Sequence, residues 1–190
     1  REMLLTGISE ETDRLASLVT NLLNMSRLEA GVWKPEKQRC YIADIISEVL
    51  DRQKWVHKKH TFQTDLEPGL PEIYADYNQI EQVLINLLEN AVAYSEEGTG
   101  ITVRAKTVDY MVEVSVSDQG VGIPPEDMDK IFDKFYRGSQ TRKMPGGTGL
   151  GLAVCQAIIL SHGGQIWAES EVGHGSTFHF TLPVALTGNK

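Results

Sequence analysis

Only two cysteines, Cys40 and Cys155, occur in 190 residues. That pair makes neither a metal-type spacing nor a disulfide framework, so a reducing compartment is expected. No apolar run approaches the roughly 18 residues of a membrane-spanning helix, and no stretch of the sequence reads as a secretory leader. Cations are also scarce: 18 Lys and Arg stand against 26 Asp and Glu, for a net charge of −8. Binding to nucleic acid needs clustered cations, so that class is disfavoured, although a local basic patch around a polyphosphate stays compatible with the balance. Two common nucleotide signatures are missing. The run Gly147-Thr148-Gly149-Leu150-Gly151 lacks the Gly-Lys-Ser/Thr of a P-loop. Nor is it a dinucleotide fingerprint, since Val154 stands where the third glycine belongs and no strand pattern precedes it. Internal repeats and low-complexity tracts are absent. The chain opens without Met inside a helical pattern, and is read as a piece whose upstream part is open, membrane spans included.

What is present suffices for one domain with an appendage and a real core. Residues 1–30 read as one helix, with Ile8, Leu15, Leu18, Leu22 and Met25 at heptad-like spacing and Val19 and Leu23 widening the stripe. That stripe is expected to be an interhelical seam, with packing on the domain's own core as the alternative. Trp33-Lys34-Pro35 marks a boundary, giving an incomplete helical unit at 1–32 and a domain at 33–190. Beyond it the pattern predicts strands at 38–41, 60–66, 73–75, 101–106, 112–117, 165–170 and 176–182, and helices at 42–55, 78–94, 124–131 and 149–161. Residues 136–148 are polar, glycine-rich and cationic, and are expected to form a mobile loop. Segregated runs of strands and helices predict an α+β domain, one sheet with helices on one face.

Four short motifs carry chemistry. Asn86 and Asn90 are one helical turn apart and share a face, so two amide oxygens can meet a hard cation or its waters. The plain alternative is an amphipathic helix with two solvated amides. Asp118 ends a strand and precedes Gly120 and Gly122. A carboxylate accepts hydrogen bonds, for example from an adenine amine, and the glycines allow close backbone approach; an Asx-type turn is the alternative. The glycine run 147–151 enters an apolar helix, and helix N-termini suit phosphate. Phe132, Phe135 and Tyr136 fit a small satellite core. Lys134, Arg137, Arg142 and Lys143 lie on or beside the loop, where they fit a lid over phosphates. The five histidines, His57, His60, His162, His174 and His179, show no nucleophile or metal arrangement and read as surface or strand residues.

Taken together these motifs resemble the catalytic half of bacterial two-component sensor histidine kinases. Residues 86–90 match the N box, 118–122 the first glycine box, 132–137 the F box, 147–152 the second glycine box, and 173–178 the glycine-threonine box. Residues 20–31 resemble the end of the second dimerisation helix, and the wording around 83–92 and 131–138 is similar to the potassium-responsive KdpD type. The resemblance implies a Bergerat-type (GHKL) two-layer α/β sandwich with a mixed sheet, preceded by one long helix. It implies ATP and Mg2+ as ligands, with Asn90 on the metal, Asn86 helping to hold metal or phosphates, and Arg137 reaching the phosphates; these three form the catalytic set. Asp118 would bind the adenine amine and Tyr94 would stack by the base. Gly120, Gly122, Ile123 and Phe135 belong to the same nucleotide-binding set, and Gly147, Thr148, Gly149, Leu150 and Gly151 would cradle the phosphates. Expected partners are a response-regulator receiver domain and a second copy of the full-length chain, with no nucleic acid. The expected location is cytoplasmic, with membrane attachment only through upstream segments.

Two departures from the family pattern stand out. None of the five histidines has the acceptor context, a His-Glu/Asp-x-x-Thr-Pro-like helix, and position 93 is Ala where many relatives carry a Lys. Related ATPases of the same fold activate water with a Glu one turn before the metal Asn. Here that position is Asn86, a poor general base, so hydrolysis is the weaker expectation, and a nucleotide-sensing scaffold is a third.

Overall fold

The computed structural model describes residues 34–138 and 148–185, together with Val19, Thr20, Leu22, Leu23 and Ser26, which are helical. The rest of the expected upstream helix, residues 139–147 of the loop expected at 136–148, and the last five residues lie outside the described residues.

A five-stranded sheet carries the domain, in the order β2 (Thr61–Leu66), β4 (Gly100–Val108), β5 (Met111–Ser117), β7 (Gly175–Pro183), β6 (Ile166–Glu171). β2 and β4 are parallel and every other neighbour is antiparallel, so the sheet is mixed. Alternation sets its two faces. Val103 opposes Val116, Val114 opposes Phe180, and Val116 opposes Phe178, all on the buried face. Arg104, Ser115 and His179 align on the other face, which no helix covers among the described residues. Asp109, at a φ of 54°, lies in the tight turn between β4 and β5.

Three helices cover the buried face: α1 (Ile42–Val56), α2 (Tyr77–Tyr94) and α4 (Gly151–Ser161). α1 buries Ile42, Ile45, Ile46, Val49 and Leu50, an amphipathic spacing that meets β2. α2 starts at Asp76, whose side chain accepts from the Gln79 N–H at 3.2 Å. It buries Ile80, Val83, Leu84, Leu87, Leu88 and Ala91. A second helix–sheet layer is not needed, because the opposite face is already polar.

The single predicted sheet is corrected in one respect. β1 (Gln38–Cys40) and β3 (Ile73–Ala75) pair with each other as a separate two-stranded sheet, joined to the end of β7 through an Ile73–Val184 bridge. They are three residues apiece, and they meet the main sheet at the end of β7. The predicted 124–131 helix is also shorter, a single turn, α3 (Pro125–Met128).

Candidate nucleotide site

The second half of α2 forms one wall of the site. Asn86 is 7% exposed, and its Nδ2 donates to the Gly151 carbonyl at 3.4 Å and approaches Cys155 Sγ at 3.7 Å. Asn86 thereby ties α2 to the first turn of α4. Cys155 is buried beneath this contact and its Sγ approaches the Val83 carbonyl at 3.8 Å. Burial pushes the thiol up to about 12, so it stays protonated and serves as packing. One turn further, Asn90 is half-buried and its side chain has no hydrogen-bond partner among the described residues. Its amide oxygen, like that of Asn86, whose nitrogen alone is engaged, is available for a cation. Ala93 is exposed and Tyr94 half-buried at the end of the same helix.

The loop after β5 docks against that helix end. Val121 N–H donates to the Tyr94 carbonyl at 3.3 Å. A Cβ on Gly120 would collide with that same carbonyl oxygen, so no side chain is tolerated there. Asp118 sits at the base of the loop. Its Oδ1 accepts from Gly120 N–H at 2.8 Å and from Ser176 N–H at 3.2 Å, while its own N–H donates to the Ser176 carbonyl at 2.9 Å. Its Oδ2 has no partner among the described residues. Burial pushes the carboxyl above the usual range, and the two backbone N–H bonds hold it back down.

The β6–β7 turn forms the other side of this loop. Gly173 N–H donates to the Val121 carbonyl at 2.8 Å, and Ile123 N–H donates to Ser170 Oγ at 2.8 Å. Ser170 Oγ also donates to the Gly175 carbonyl at 2.8 Å. Gly122, with a φ of +72°, lies against Glu171 and Val172. The residue-by-residue reading missed Ser170 and Ser176. For Ser176 the available signal was the 173–178 box, matched as a motif but given no role; Ser170 lies outside that box.

The third wall is the start of α4. Leu150 is buried and its N–H donates to Thr148 Oγ1 at 3.2 Å. Gly149 takes a φ of +71°, and its carbonyl accepts from Phe135 N–H at 2.8 Å. The first turn, from Gly151, presents backbone N–H groups that have no intrahelical partner. Its expected start at 149 moves to 151 because Gly149 is left-handed and Leu150 is the N-cap. Among the F-box residues, the Tyr136 hydroxyl donates to Asp127 Oδ1 at 2.6 Å and Arg137 is half-buried. The Phe135 side chain is 65% exposed at a φ of 62°. Its backbone rather than its ring meets the glycine run. Lys134 is exposed; Gly147, Arg142 and Lys143 lie outside the described residues.

One histidine reading is corrected. His162 is neither a surface nor a strand residue; it is 2% exposed at the C-cap of α4, where Asp76 N–H donates to Nε2 at 3.0 Å. Burial lowers its basicity. Sequence reading missed it because its partner is 86 residues away in the chain.

Residues 75–186 match the family described as histidine kinase-, DNA gyrase B-, and HSP90-like ATPase. The chain is 38% identical over 178 residues to the sensor histidine kinase WalK of Bacillus subtilis, covering 91% of this chain and 29% of WalK. It is 38% identical over 183 residues to the alginate biosynthesis sensor protein KinB of Pseudomonas aeruginosa, covering 95% of this chain and 30% of KinB. The chain thus spans under a third of these curated relatives. Among solved structures it resembles full-length ShkA in complex with AMPPNP, at a TM-score of 0.83 and 29% identity over 99% of this chain and 40% of that one. It also resembles the nucleotide-free catalytic domain of histidine kinase ThkA, at a TM-score of 0.68 and 34% identity over 78% of this chain and 96% of that one.

Proposed function

The chain belongs to the histidine kinase-, DNA gyrase B- and HSP90-like ATPase family, and from that membership we propose that it is the ATP-binding catalytic part of a sensor histidine kinase. It passes the γ-phosphoryl group of ATP to a histidine that none of its own five histidines is placed to be. The phosphoryl group then moves to an aspartate of a response-regulator receiver domain. The observation that carries this reading is Asp118, with one oxygen clamped by two backbone N–H groups and the other left for a donor.

Each wall has a task. Asp118 Oδ2 accepts the adenine amine, and Tyr94 and Ile123 border the ring. The N–H groups at the start of α4, together with Thr148 and Gly149, take the phosphates with the help of the helix dipole. Arg137 adds a cation from the F box. The donor set suits Mg2+ bound mainly through phosphates, since Asn90 offers one neutral amide oxygen with no competing partner, and the ion neutralises phosphate charge when bound. Asn86 is better placed as a positioning residue: its amide holds the Gly151 carbonyl. That engagement also argues against the hydrolase alternative, because the position that would carry a general base instead carries an amide bonded to α4. We further place the upstream helix in a homodimer seam, its Val19, Leu22 and Leu23 being 56%, 54% and 52% exposed. Membrane attachment would come from upstream segments; among the described residues no helix is long and apolar enough to span a bilayer.

The test is phosphotransfer to a supplied helical-hairpin domain bearing an acceptor histidine. With labelled ATP and Mg2+, acid-labile, base-stable label is expected on the supplied domain and none on this chain. Free phosphate release with no labelled histidine would replace the kinase reading with a hydrolase.

A further inference from the structure

We infer that His162 is a positioning residue for the phosphate-cradling end of α4, which it ties to the segment entering the domain; this rests on reading the start of α4 as the cradle. α4 begins at Gly151 and ends at Ser161, 11 residues that span about 16 Å. It has no basic residue in its last turn. The cation comes from outside the helix: Lys37 Nζ donates to the Ser161 carbonyl at 2.9 Å. A cation there satisfies an orphan carbonyl and complements the helix dipole. One residue earlier, Glu36 N–H donates to Asp76 Oδ2 at 2.9 Å.

Asp76 then links this entering segment to both helices of the site. Its Oδ1 caps α2 through Gln79 N–H, and its own N–H donates to His162 Nε2. His162 Nδ1 donates to the Ile158 carbonyl at 2.8 Å, which is the tautomer that leaves Nε2 as an acceptor. His162 and Asp76 are 2% and 9% exposed. The entering segment, the start of α2 and the end of α4 therefore share one buried knot. From it α2 and α4 run antiparallel to the nucleotide site, where Asn86 meets Gly151. The knot lies at one end of the helix pair and the cradle at the other. Rigid helices joined by hydrogen bonds carry coupling between distant sites. Movement of residues 36–37 is thereby passed along α4 to the amides that take the phosphates.

The test uses the whole chain and three variants. Lys37→Met removes the entering segment's direct bond to α4 and leaves the Asp76–His162 bond in place. His162→Leu removes the imidazole contacts with Asp76, Ile158 and Ser161, whereas His162→Gln keeps an acceptor for Asp76 N–H and a donor for the Ile158 carbonyl. Amide exchange at residues 149–153 is read without nucleotide, and affinity is read for a non-hydrolysable ATP analogue and for adenosine. Lys37→Met and His162→Leu are expected to raise exchange at 149–153 and weaken the analogue at least threefold with adenosine unchanged, and His162→Gln to restore both. Wild-type exchange and an unchanged analogue-to-adenosine ratio in folded Lys37→Met would overturn the proposal, and that variant decides if His162→Leu does not fold. Absence of analogue binding by the wild type would refute the nucleotide reading separately, and the exchange comparison would still decide the coupling.

Discussion

Asp118 divides its carboxylate between structure and recognition, and this makes it testable. Asp118→Asn keeps an oxygen for Gly120 and Ser176 but removes the charge. Adenine nucleotides are expected to bind about 1.5–3 kcal/mol more weakly, the worth of a charge-assisted hydrogen bond, with little change in melting temperature; calorimetric titration beside a thermal melt checks both. Because burial raises this carboxyl, affinity in the wild type should fall with acid at a pH above the ordinary carboxylate range, and the Asn variant should lose that limb. Stability moves the other way. A carboxyl raised by folding costs stability when ionised, and that cost is relieved as pH falls through its folded value. His162 has the opposite sign. Its basicity is lowered in the fold, by burial first, with the Lys37 charge adding to this and Ile158 and Asp76 opposing it. Its contribution is whole above about pH 6.5, the ordinary imidazole value, and is lost as pH falls from there towards the folded value. Urea midpoints across that range should decline in the wild type and stay flatter in His162→Gln. Asp118 was legible from a strand-end acid beside two glycines. His162 was not, because burial of an imidazole depends on which backbone groups the fold brings to its two nitrogens.

Among the elements, the helices were legible to within a residue or two where apolar periodicity is strong, and β3 was legible as Ile73–Ala75. The start of α4 was not, because Gly149 departs from helical geometry. Gly149→Ala would put a Cβ 2.6 Å from the Phe135 carbonyl carbon at a φ of +71°. The expected cost is about 1–3 kcal/mol of stability, read by urea unfolding, with ATP weakened more than adenosine because the strain falls on the phosphate end. At the close of α2, exposed Ala93 stands three residues past Asn90. Ala93→Lys should tighten ATP relative to adenosine at low salt, and the gain should shrink as salt screens it. Competition binding at two ionic strengths measures this, and equal ratios would show that position 93 does not face the phosphates.

For the whole molecule, the core between helix layer and sheet sets stability. Phe180 is fully buried in β7, opposite Val114 on one side and Ile166 on the other. Phe180→Ala should cost about 3–5 kcal/mol through the cavity it leaves, seen as a lower denaturation midpoint with an unchanged m-value. Periodicity and turn residues were enough to write down the α+β class, the course of most helices and strands, and the motifs that bear on nucleotide. These follow from local geometry, since a period of 3.6 or 2 assigns faces without knowing what lies opposite. Strand order, the single parallel pair, the separate β1–β3 sheet, the docking of the Asp118 loop on Tyr94 and the Asp76–His162 knot came only from the tertiary structure. Each joins backbone groups far apart in the chain, and which donor meets which acceptor is decided when the layers pack.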